Sequence, residues 1–269
     1  MGVGVGDSAA IAERFLEARR AATGLEEYPG PFPPTLDQAY DIQDRAIAAW
    51  SQPVLGWKVG RVLPPHSDRF GTDRLAGPIF TERYVEDGSI AAMPVFAQGF
   101  AAGEAEFLLR IGKAPPAGKT RFTFDEAADL IAAVHVGLEI ASSPLASINR
   151  LGPVAVVSDF GNNNGLLIGD EIPDWRESGF EDWTVTLAIE GKEVGRGTAA
   201  SFPDGAIGSA RFLFELMARR GIALRPGQWI SSGAVGGVHD ARVGQVIEAR
   251  FGEAAAVRCR LSPEQPSTS

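Results

Sequence analysis

The sequence predicts an α+β protein in which a helical N-terminal lobe precedes a β-rich body. Two stretches within the first ~50 residues place apolar side chains at helical spacing, which is typical of amphipathic helices. After residue 54 the sequence pattern changes to short β-prone runs that are interrupted by Gly and Pro. We therefore expect a helical lobe over residues 1–70, a β-rich catalytic body over 71–262 and a tail over 263–269.

The lobe is expected to contain two helices. Residues 8–23 carry apolar side chains at helical spacing, and Gly24 provides a natural stop. A proline-rich segment follows, after which Thr35 and Gln38 form a capping-box pattern that opens a second helix ending near Trp50.

The body is expected to form a mixed sheet with interspersed helices. A capping-box pattern at Thr123 and Glu126 marks one helix start, and alternating apolar residues mark the strands. The expected elements are a strand at 105–111, a helix from 123 to about 133, a strand at 134–140, a strand at 183–190 leading into a hairpin, a helix from 204 to 221, a strand at 229–231 and a hairpin of 245–251 with 254–261.

Charge and composition exclude several classes of partner. The formal charge is −9 and the 25 basic residues are scattered, so nucleic acid is not an expected partner. No run of about 18 apolar residues predicts a membrane span, and no signal peptide is recognisable. The single Cys259 permits no intramolecular disulfide. We expect a cytoplasmic protein.

Three glutamates are the strongest candidates for chemistry. Glu104 and Glu106 are two residues apart, so at the start of a strand their side chains share one face and repel each other unless a cation, an arginine or a shared proton neutralises them. Glu139 is a lone charge in an apolar strand. An all-oxygen set favours Mg²⁺ or Mn²⁺. The alternative is a solvated strand edge, with Glu139 paired to an arginine.

Lys58 and two polar loops are weaker candidates. Lys58 stands between apolar neighbours and glycines, where a desolvated amine can act as a base or hold a carboxylate, although an exposed lysine gives the same pattern. The segment 158–165 is either a site loop that includes Asn162 or an ordinary tight turn. The glycines of 233–237 could offer backbone N–H groups to an anion.

Six ordered segments carry a resemblance to a known family. They resemble the 2-keto-4-pentenoate hydratase and 4-oxalocrotonate decarboxylase family of the fumarylacetoacetate hydrolase superfamily. The matching segments are residues 39–43, 56–60, 103–107, 138–140, 158–169 and 232–236.

The resemblance implies a helical lobe on a mixed β-roll body of the fumarylacetoacetate hydrolase C-terminal-domain type. It also implies that Glu104, Glu106 and Glu139 are ligands of Mg²⁺ or Mn²⁺ and that Lys58 lies in the active site. A homo-oligomer, an association with another pathway enzyme and a role in aromatic catabolism are further expectations.

Three places depart from the pattern of a hydratase. Residues 142–144 are Ser-Ser-Pro where an acidic residue, Ser and Arg are expected, Asn162 and Asn163 replace serines, and Ala234 and Val235 stand where hydroxyl side chains are frequent. These changes point to a different substrate tail or a different outcome from a shared intermediate.

The leading hypothesis is a hydratase that adds water to a short unsaturated 2-oxo acid through a metal-stabilised dienolate. Lys58 would move a proton or steady the carboxylate, and Asn162 and Ser232 would orient substrate or water. The alternatives are a decarboxylase of a 2-oxo dicarboxylate, a C–C hydrolase of an acylpyruvate, and a non-catalytic partner subunit that keeps the fold.

Overall fold

Two helices of the N-terminal segment pack against each other and against the body. The computed structural model describes residues 5–85 and 90–267. Helix α1 spans Val5–Ala21 and helix α2 spans Leu36–Ala49, where the Thr35 side chain accepts a hydrogen bond from the Gln38 backbone N–H. Both expected helices, and the cap that starts the second, are thereby confirmed.

The larger sheet has seven strands and mixed polarity. Strand β1 pairs in parallel with β10, and β3 pairs in parallel with β7, whereas the other neighbours are antiparallel. In spatial order the strands are β2 (Arg74–Ile79), β1 (Gly56–Arg61), β10 (Trp229–Ser231), β5 (Phe100–Ile111), β6 (Ile131–Ser143), β7 (Asn163–Glu171) and β3 (Glu82–Tyr84).

A second sheet of five strands packs on one face of the first. Phe107 of the large sheet contacts Phe251 of the small sheet, with ring centroids 5.2 Å apart, and Phe180 at 4.9 Å. These aromatic rings belong to the main hydrophobic core. In spatial order, the strands of this second sheet are β4 (Ala91–Val95), β12 (Ala255–Pro263), β11 (Val246–Phe251), β8 (Val185–Ile189) and β9 (Lys192–Gly197).

Within the described residues, five further α-helices connect or cover the sheets. The longest is α7, which ends with the left-handed Gly221 at its C-terminus, as expected from the sequence. The others are short. The helices are α3 (His66–Phe70), α4 (Phe124–Ala128), α5 (Ile148–Leu151), α6 (Pro153–Ser158) and α7 (Gly205–Arg220).

The helix expected from residue 123 to about 133 is shorter than predicted. Thr123 and Glu126 do form a reciprocal capping box. However, α4 ends at Ala128 and β6 has begun by Ile131. The prediction of its end was wrong because the apolar residues that follow gain backbone pairing with β5, which outweighs a weak helical preference.

The expected position of two glutamates at a strand start is also wrong. Strand β5 begins at Phe100 rather than near residue 105, so Glu104 and Glu106 lie well inside a 12-residue strand. The segment before them is rich in Ala and Gly and has little intrinsic β-preference, but residues 140–143 of β6 pair with it. Both carboxylates are consequently buried rather than placed at an edge.

Among residues 5–85 and 90–267, no helix has the length and apolar character that crossing a membrane would require.

Candidate metal centre

Four adjacent strands bring the sequence-predicted glutamates and lysine to one face of the large sheet. Glu104 on β5 is the direct partner of Glu139 on β6, and Lys58 on β1 is the partner of Ser231 on β10. Since β10 lies between β1 and β5, the strand pairing places the lysine across from the carboxylates. The glutamates and the lysine lie on three of these strands, β1, β5 and β6, and the fourth strand, β10, comes from much later in the sequence.

Glu104, Glu106 and Glu139 form a compact group of carboxylates. One oxygen from each lies within 4.8 Å of the others, and all three side chains are buried. Three carboxylates this close together repel one another strongly unless protons or a cation neutralise them. The structure therefore brings together the three residues that the sequence nominated as metal ligands.

Two carboxylate oxygens of this group accept no hydrogen bond from the described residues. Glu106 Oε1 and Glu139 Oε2 are buried and have no hydrogen-bond partner among the described residues. Buried carboxylate oxygens are ordinarily paired, because an unpaired one costs free energy. A divalent cation would satisfy both atoms, so the donor set fits a hard metal ion such as Mg²⁺ or Mn²⁺.

The other oxygens of Glu106 and Glu139 are held in place by neighbours. Ser231 Oγ and the Gly233 backbone N–H donate to Glu106 Oε2 at 2.5 and 2.8 Å. Asn163 Nδ2 donates to Glu139 Oε1 at 3.0 Å. Each carboxylate thus has one oxygen fixed by hydrogen bonds and one left for a cation, an arrangement that orients metal ligands in proteins.

Burial dominates the ionisation of the carboxylates. It raises the pKa of Glu104 to about 7, with Lys58 opposing the shift and Glu139 adding to it. Burial, followed by the charges of Glu139 and Glu104, raises the pKa of Glu106 well above its ordinary range. Without a metal the cluster retains protons near neutral pH, and a bound cation would displace them.

Lys58 places a positive charge next to the three carboxylates. Its Nζ lies 3.2 Å from Glu139 Oε1 and donates to Asn162 Oδ1 at 3.2 Å. Burial opposes the charged form, but Glu139, then Glu104 and Glu106, raise the pKa of Lys58 above its ordinary value. Lys58 is a buried ammonium group in this state, and the exposed-lysine alternative is wrong.

Asn162 links Lys58 to Asn149 through hydrogen bonds. Asn162 is buried in a left-handed conformation (φ 56°), and its Nδ2 donates to Asn149 Oδ1 at 3.0 Å. The loop lies close over Lys58 because two glycines leave room for it. A Cβ on Gly161 would lie 2.9 Å from Lys58 Cδ, and one on Gly77 would lie 2.2 Å from the Phe160 carbonyl oxygen.

Ser232 lies beside the cluster but makes its described contacts through the backbone. Its N–H donates to the Phe107 carbonyl at 3.2 Å, and its carbonyl accepts from Ser209 Oγ at 2.7 Å. Ser232 Oγ is buried, with no hydrogen-bond partner among the described residues. The preceding Ser231, which the sequence analysis did not nominate, is the serine whose hydroxyl contacts a candidate ligand.

A buried ion pair ties α1 to the loop that supports the cluster. Arg19 Nε and Nη2 donate to the two carboxylate oxygens of Asp159 at 2.5 and 3.0 Å, and Arg19 Nη1 donates to the Asn163 carbonyl at 3.3 Å. Sequence reasoning missed Arg19. A signal was present, because Arg19 follows Ile11 and Phe15 at four-residue spacing on the buried stripe of the helix.

A cavity of about 490 Å³ opens at this end of the sheet. The buried Lys58, Glu104 and Asn162 line it, and so does the exposed Asn149. The volume falls within the range of about 300–1,000 Å³ that is usual for small-molecule sites. Of the three candidate ligands, Glu104 borders this space together with the buried Lys58, and the space can admit a small organic acid.

Comparisons with known proteins identify the fold. No protein-family model matches the sequence, and no curated protein matches it either. The structure is similar to 4-oxalocrotonate decarboxylase from Pseudomonas putida G7 in complex with magnesium and adipate, with a TM-score of 0.81 and 18% identity over 96% of this chain and 98% of that one.

Two other solved structures share a smaller part of the fold. Fumarylpyruvate hydrolase from Pseudomonas aeruginosa, in complex with Mn²⁺ and pyruvate, matches with a TM-score of 0.56 and 18% identity over 77% of this chain and 89% of that one. The 5-carboxymethyl-2-hydroxymuconate delta-isomerase from Mycobacterium smegmatis matches with a TM-score of 0.55 and 15% identity over 78% and 80% of the two chains. The chain therefore has the α+β fold of these enzymes, which confirms the fold expected from its resemblance to the fumarylacetoacetate hydrolase superfamily.

Proposed function

We propose that this protein is a divalent-metal-dependent enzyme that acts on a short 2-oxo acid. The observation that carries the proposal is the group of three buried carboxylates with two unpartnered oxygens beside a buried lysine. Glu104, Glu106 and Glu139 would hold Mg²⁺ or Mn²⁺. The fold similarity to enzymes solved with magnesium or Mn²⁺ supports the choice of metal.

When bound, a divalent ion in this position supplies Lewis-acid polarisation of a carbonyl group. The residues of the chain then have separate tasks. Glu106 and Glu139 are kept in orientation by Ser231 and Asn163, and Lys58 presents a positive charge at the inner end of the cavity. That charge suits the carboxylate of a 2-oxo acid, and the ammonium group is also a proton donor within the site.

Hydration of a 2-keto-4-pentenoate-type acid is the reaction we favour. The oxygen of water bonds to the carbon at position 4, both hydrogens of the water remain in the product, and a 4-hydroxy-2-oxo acid results. Lys58 would deliver a proton to the carbon chain, while Asn162 holds Lys58 and Asn149 faces the same cavity. Ser232 remains a proposed substrate contact through a rotation of its unpartnered hydroxyl.

Decarboxylation of a 4-oxalocrotonate-type dicarboxylate is the second candidate. The match to 4-oxalocrotonate decarboxylase over nearly the full length of both chains is the observation in its favour. Both reactions use the same metal and the same end of the substrate, so the three glutamates alone do not separate them. The proposal that the protein assembles as a homo-oligomer follows the resemblance.

One assay distinguishes the reactions. Chelator-treated protein is supplied with 2-hydroxypenta-2,4-dienoate or with 2-oxohexenedioate, with and without Mg²⁺ or Mn²⁺, and ultraviolet absorbance and released CO₂ are followed. Metal-dependent loss of the dienol without CO₂ supports the hydratase, whereas CO₂ release supports the decarboxylase. If neither substrate reacts and Glu106→Gln binds Mn²⁺ as tightly as the wild type, the three-glutamate proposal is wrong.

A further inference from the structure

The cavity beside the candidate metal centre is lined by both charged or polar and apolar side chains. Its buried polar residues are Lys58, Glu104 and Asn162. Its apolar residues include Val62, Leu75, Val156 and Ala234. A ligand with its charged head at Lys58 would therefore have hydrocarbon side chains available to its tail.

Apolar residues also surround the mouth. Leu63 and Val238 line the cavity and are 57% and 48% exposed. Apolar side chains this exposed gain from contact with a hydrocarbon ligand. Apolar side chains are thus present among both the buried and the exposed residues of the lining, alongside the exposed Arg61 and Asn149.

The two further basic groups of the described lining, Arg61 and His66, each pack against an aromatic ring. Arg61 lies at the exposed end of β1, with its guanidinium carbon 5.4 Å from the centroid of the Phe202 ring. His66 stacks on Phe70, with ring centroids 6.3 Å apart, and its ring lies against Gly152. A carboxylate set against Val62 or Leu75 would lose hydration without gaining a paired charge.

We propose that this cavity selects 2-oxo acids with an uncharged hydrocarbon tail over acids of equal length that end in a second carboxylate. Leu75 and Val156 are the residues that determine this specificity, with Val62 completing the wall. The inference rests on the proposed function, since the 2-oxo acid end must lie at the metal and Lys58. The cavity volume leaves room for a tail longer than a vinyl group.

The test compares two saturated acids that have six carbons and no double bond to hydrate. Mn²⁺-loaded protein is titrated calorimetrically with 2-oxohexanoate, with 2-oxohexanedioate and with pyruvate, which lacks the tail. We expect 2-oxohexanoate to bind about tenfold tighter than 2-oxohexanedioate, in line with the discrimination that apolar pockets reach. Equal affinities, or tighter binding of the dicarboxylate, overturn the inference.

A pair of variants tests whether Val156 contacts the hydrocarbon tail of the ligand. Val156→Thr places a hydroxyl in the cavity wall and should weaken binding of 2-oxohexanoate about fivefold while leaving pyruvate unchanged. Val154→Thr is the matched control, because Val154 is buried on the same helix outside the cavity lining. An unchanged 2-oxohexanoate affinity in folded Val156→Thr contradicts the proposed wall contact. If Val156→Thr fails to fold, the wild-type comparison of the two acids still decides.

Failure of the proposed function gives a different result. If Mn²⁺ binds but none of the three acids does, the assignment to 2-oxo acids is wrong and the inference is lost with it. If pyruvate binds and the tail makes no difference, only the inference about the tail is wrong.

Discussion

Glu104 and Glu139 are direct partners across the antiparallel strands β5 and β6. Side chains at such positions project from the same face of a sheet, and like charges placed opposite each other destabilise it. The pairing therefore forces two carboxylates together in a buried setting, and Glu106 adds a third from the same strand face. This arrangement is costly for the empty protein and suited to a bound cation.

Removing a candidate ligand should weaken metal binding. In Glu106→Gln the amide keeps the size of the side chain but loses its charge, so we expect Mn²⁺ affinity to fall on the order of 100-fold. The measurement is Mn²⁺ titration followed by electron paramagnetic resonance. Glu177→Gln is the control, because Glu177 is exposed and lies outside the cluster. Equal losses in the two variants would mean that the cluster does not hold the metal.

The hydrogen bond from Ser231 to Glu106 should contribute to metal affinity without contacting the metal. Ser231→Ala leaves Glu106 Oε2 with the Gly233 N–H alone, so the carboxylate is less well oriented. We expect about a tenfold loss of Mn²⁺ affinity, the lower end of the usual range for such supporting residues. Ser158→Ala, which alters a buried serine whose hydroxyl donates to the Val154 carbonyl away from Glu106, serves as the control for general loosening of the core. An unchanged metal affinity in Ser231→Ala would argue against the orienting role.

The metal-free protein should lose stability as pH rises from about 4.5 to 7. The pKa of Glu104 is 4.5 in its ordinary state and about 7 when folded, so in this window the folded chain retains a proton that the unfolded chain releases. Because folding then binds protons, the free energy of unfolding decreases with pH, by up to about 1.4 kcal/mol per pH unit for each retained proton. Thermal unfolding followed by circular dichroism at a series of pH values measures the slope.

Two additions make this pH experiment specific. Glu104→Gln should make the slope shallower, since an amide takes up no proton while Glu106 still retains one, and Glu177→Gln should leave it unchanged. Saturating Mn²⁺ should restore stability at pH 7, because it binds the folded state with its carboxylates deprotonated. A slope that is the same in the wild type and Glu104→Gln would contradict the assignment of the proton.

Replacing Lys58 should separate catalysis from metal binding. In Lys58→Met the side-chain volume is largely kept but the ammonium group is lost, so we expect kcat to fall about 10²- to 10⁴-fold. Mn²⁺ affinity should hold or rise, since the variant removes a positive charge 3.2 Å from Glu139 Oε1. Turnover and Mn²⁺ titration on the same preparation test both parts. Full activity of Lys58→Met would remove the lysine from the mechanism.

The ion pair between Arg19 and Asp159 should matter far more for stability than its exposed neighbour. Arg19→Ala leaves the buried Asp159 unpaired, and we expect the free energy of unfolding in urea to decrease by about 3–5 kcal/mol. Arg20→Ala breaks a pair with Glu13 whose side chains are 40% and 51% exposed, and should cost less than about 1 kcal/mol. Similar losses in the two variants would contradict the role given to Arg19.

The sequence indicated which charged residues the structure brings together, but not the residues that hydrogen-bond to them. The carboxylates and Lys58 could be found because charges in apolar strands violate the usual pattern and leave a local signal. Ser231 and Asn163 could not, since a serine or an asparagine near a turn is ordinary, and only the pairing of distant strands shows which carboxylate each one contacts. Element ends were missed for a similar reason. Strand β5 begins earlier than its residues suggest because β6 pairs with it.

The position of β10 in the sheet bears on when the metal centre can assemble during synthesis. This three-residue strand is synthesised more than 100 residues after β5, yet it lies between β1 and β5 and carries Ser231. Until the ribosome has released it, Lys58 has no strand that joins it to the glutamates. Contacts so distant in sequence form late and slowly. A nascent chain that ends before β10 lacks the Ser231 and Gly233 donors to Glu106 and should bind a metal ion more weakly than the full-length chain, so the metal centre is completed near the end of translation.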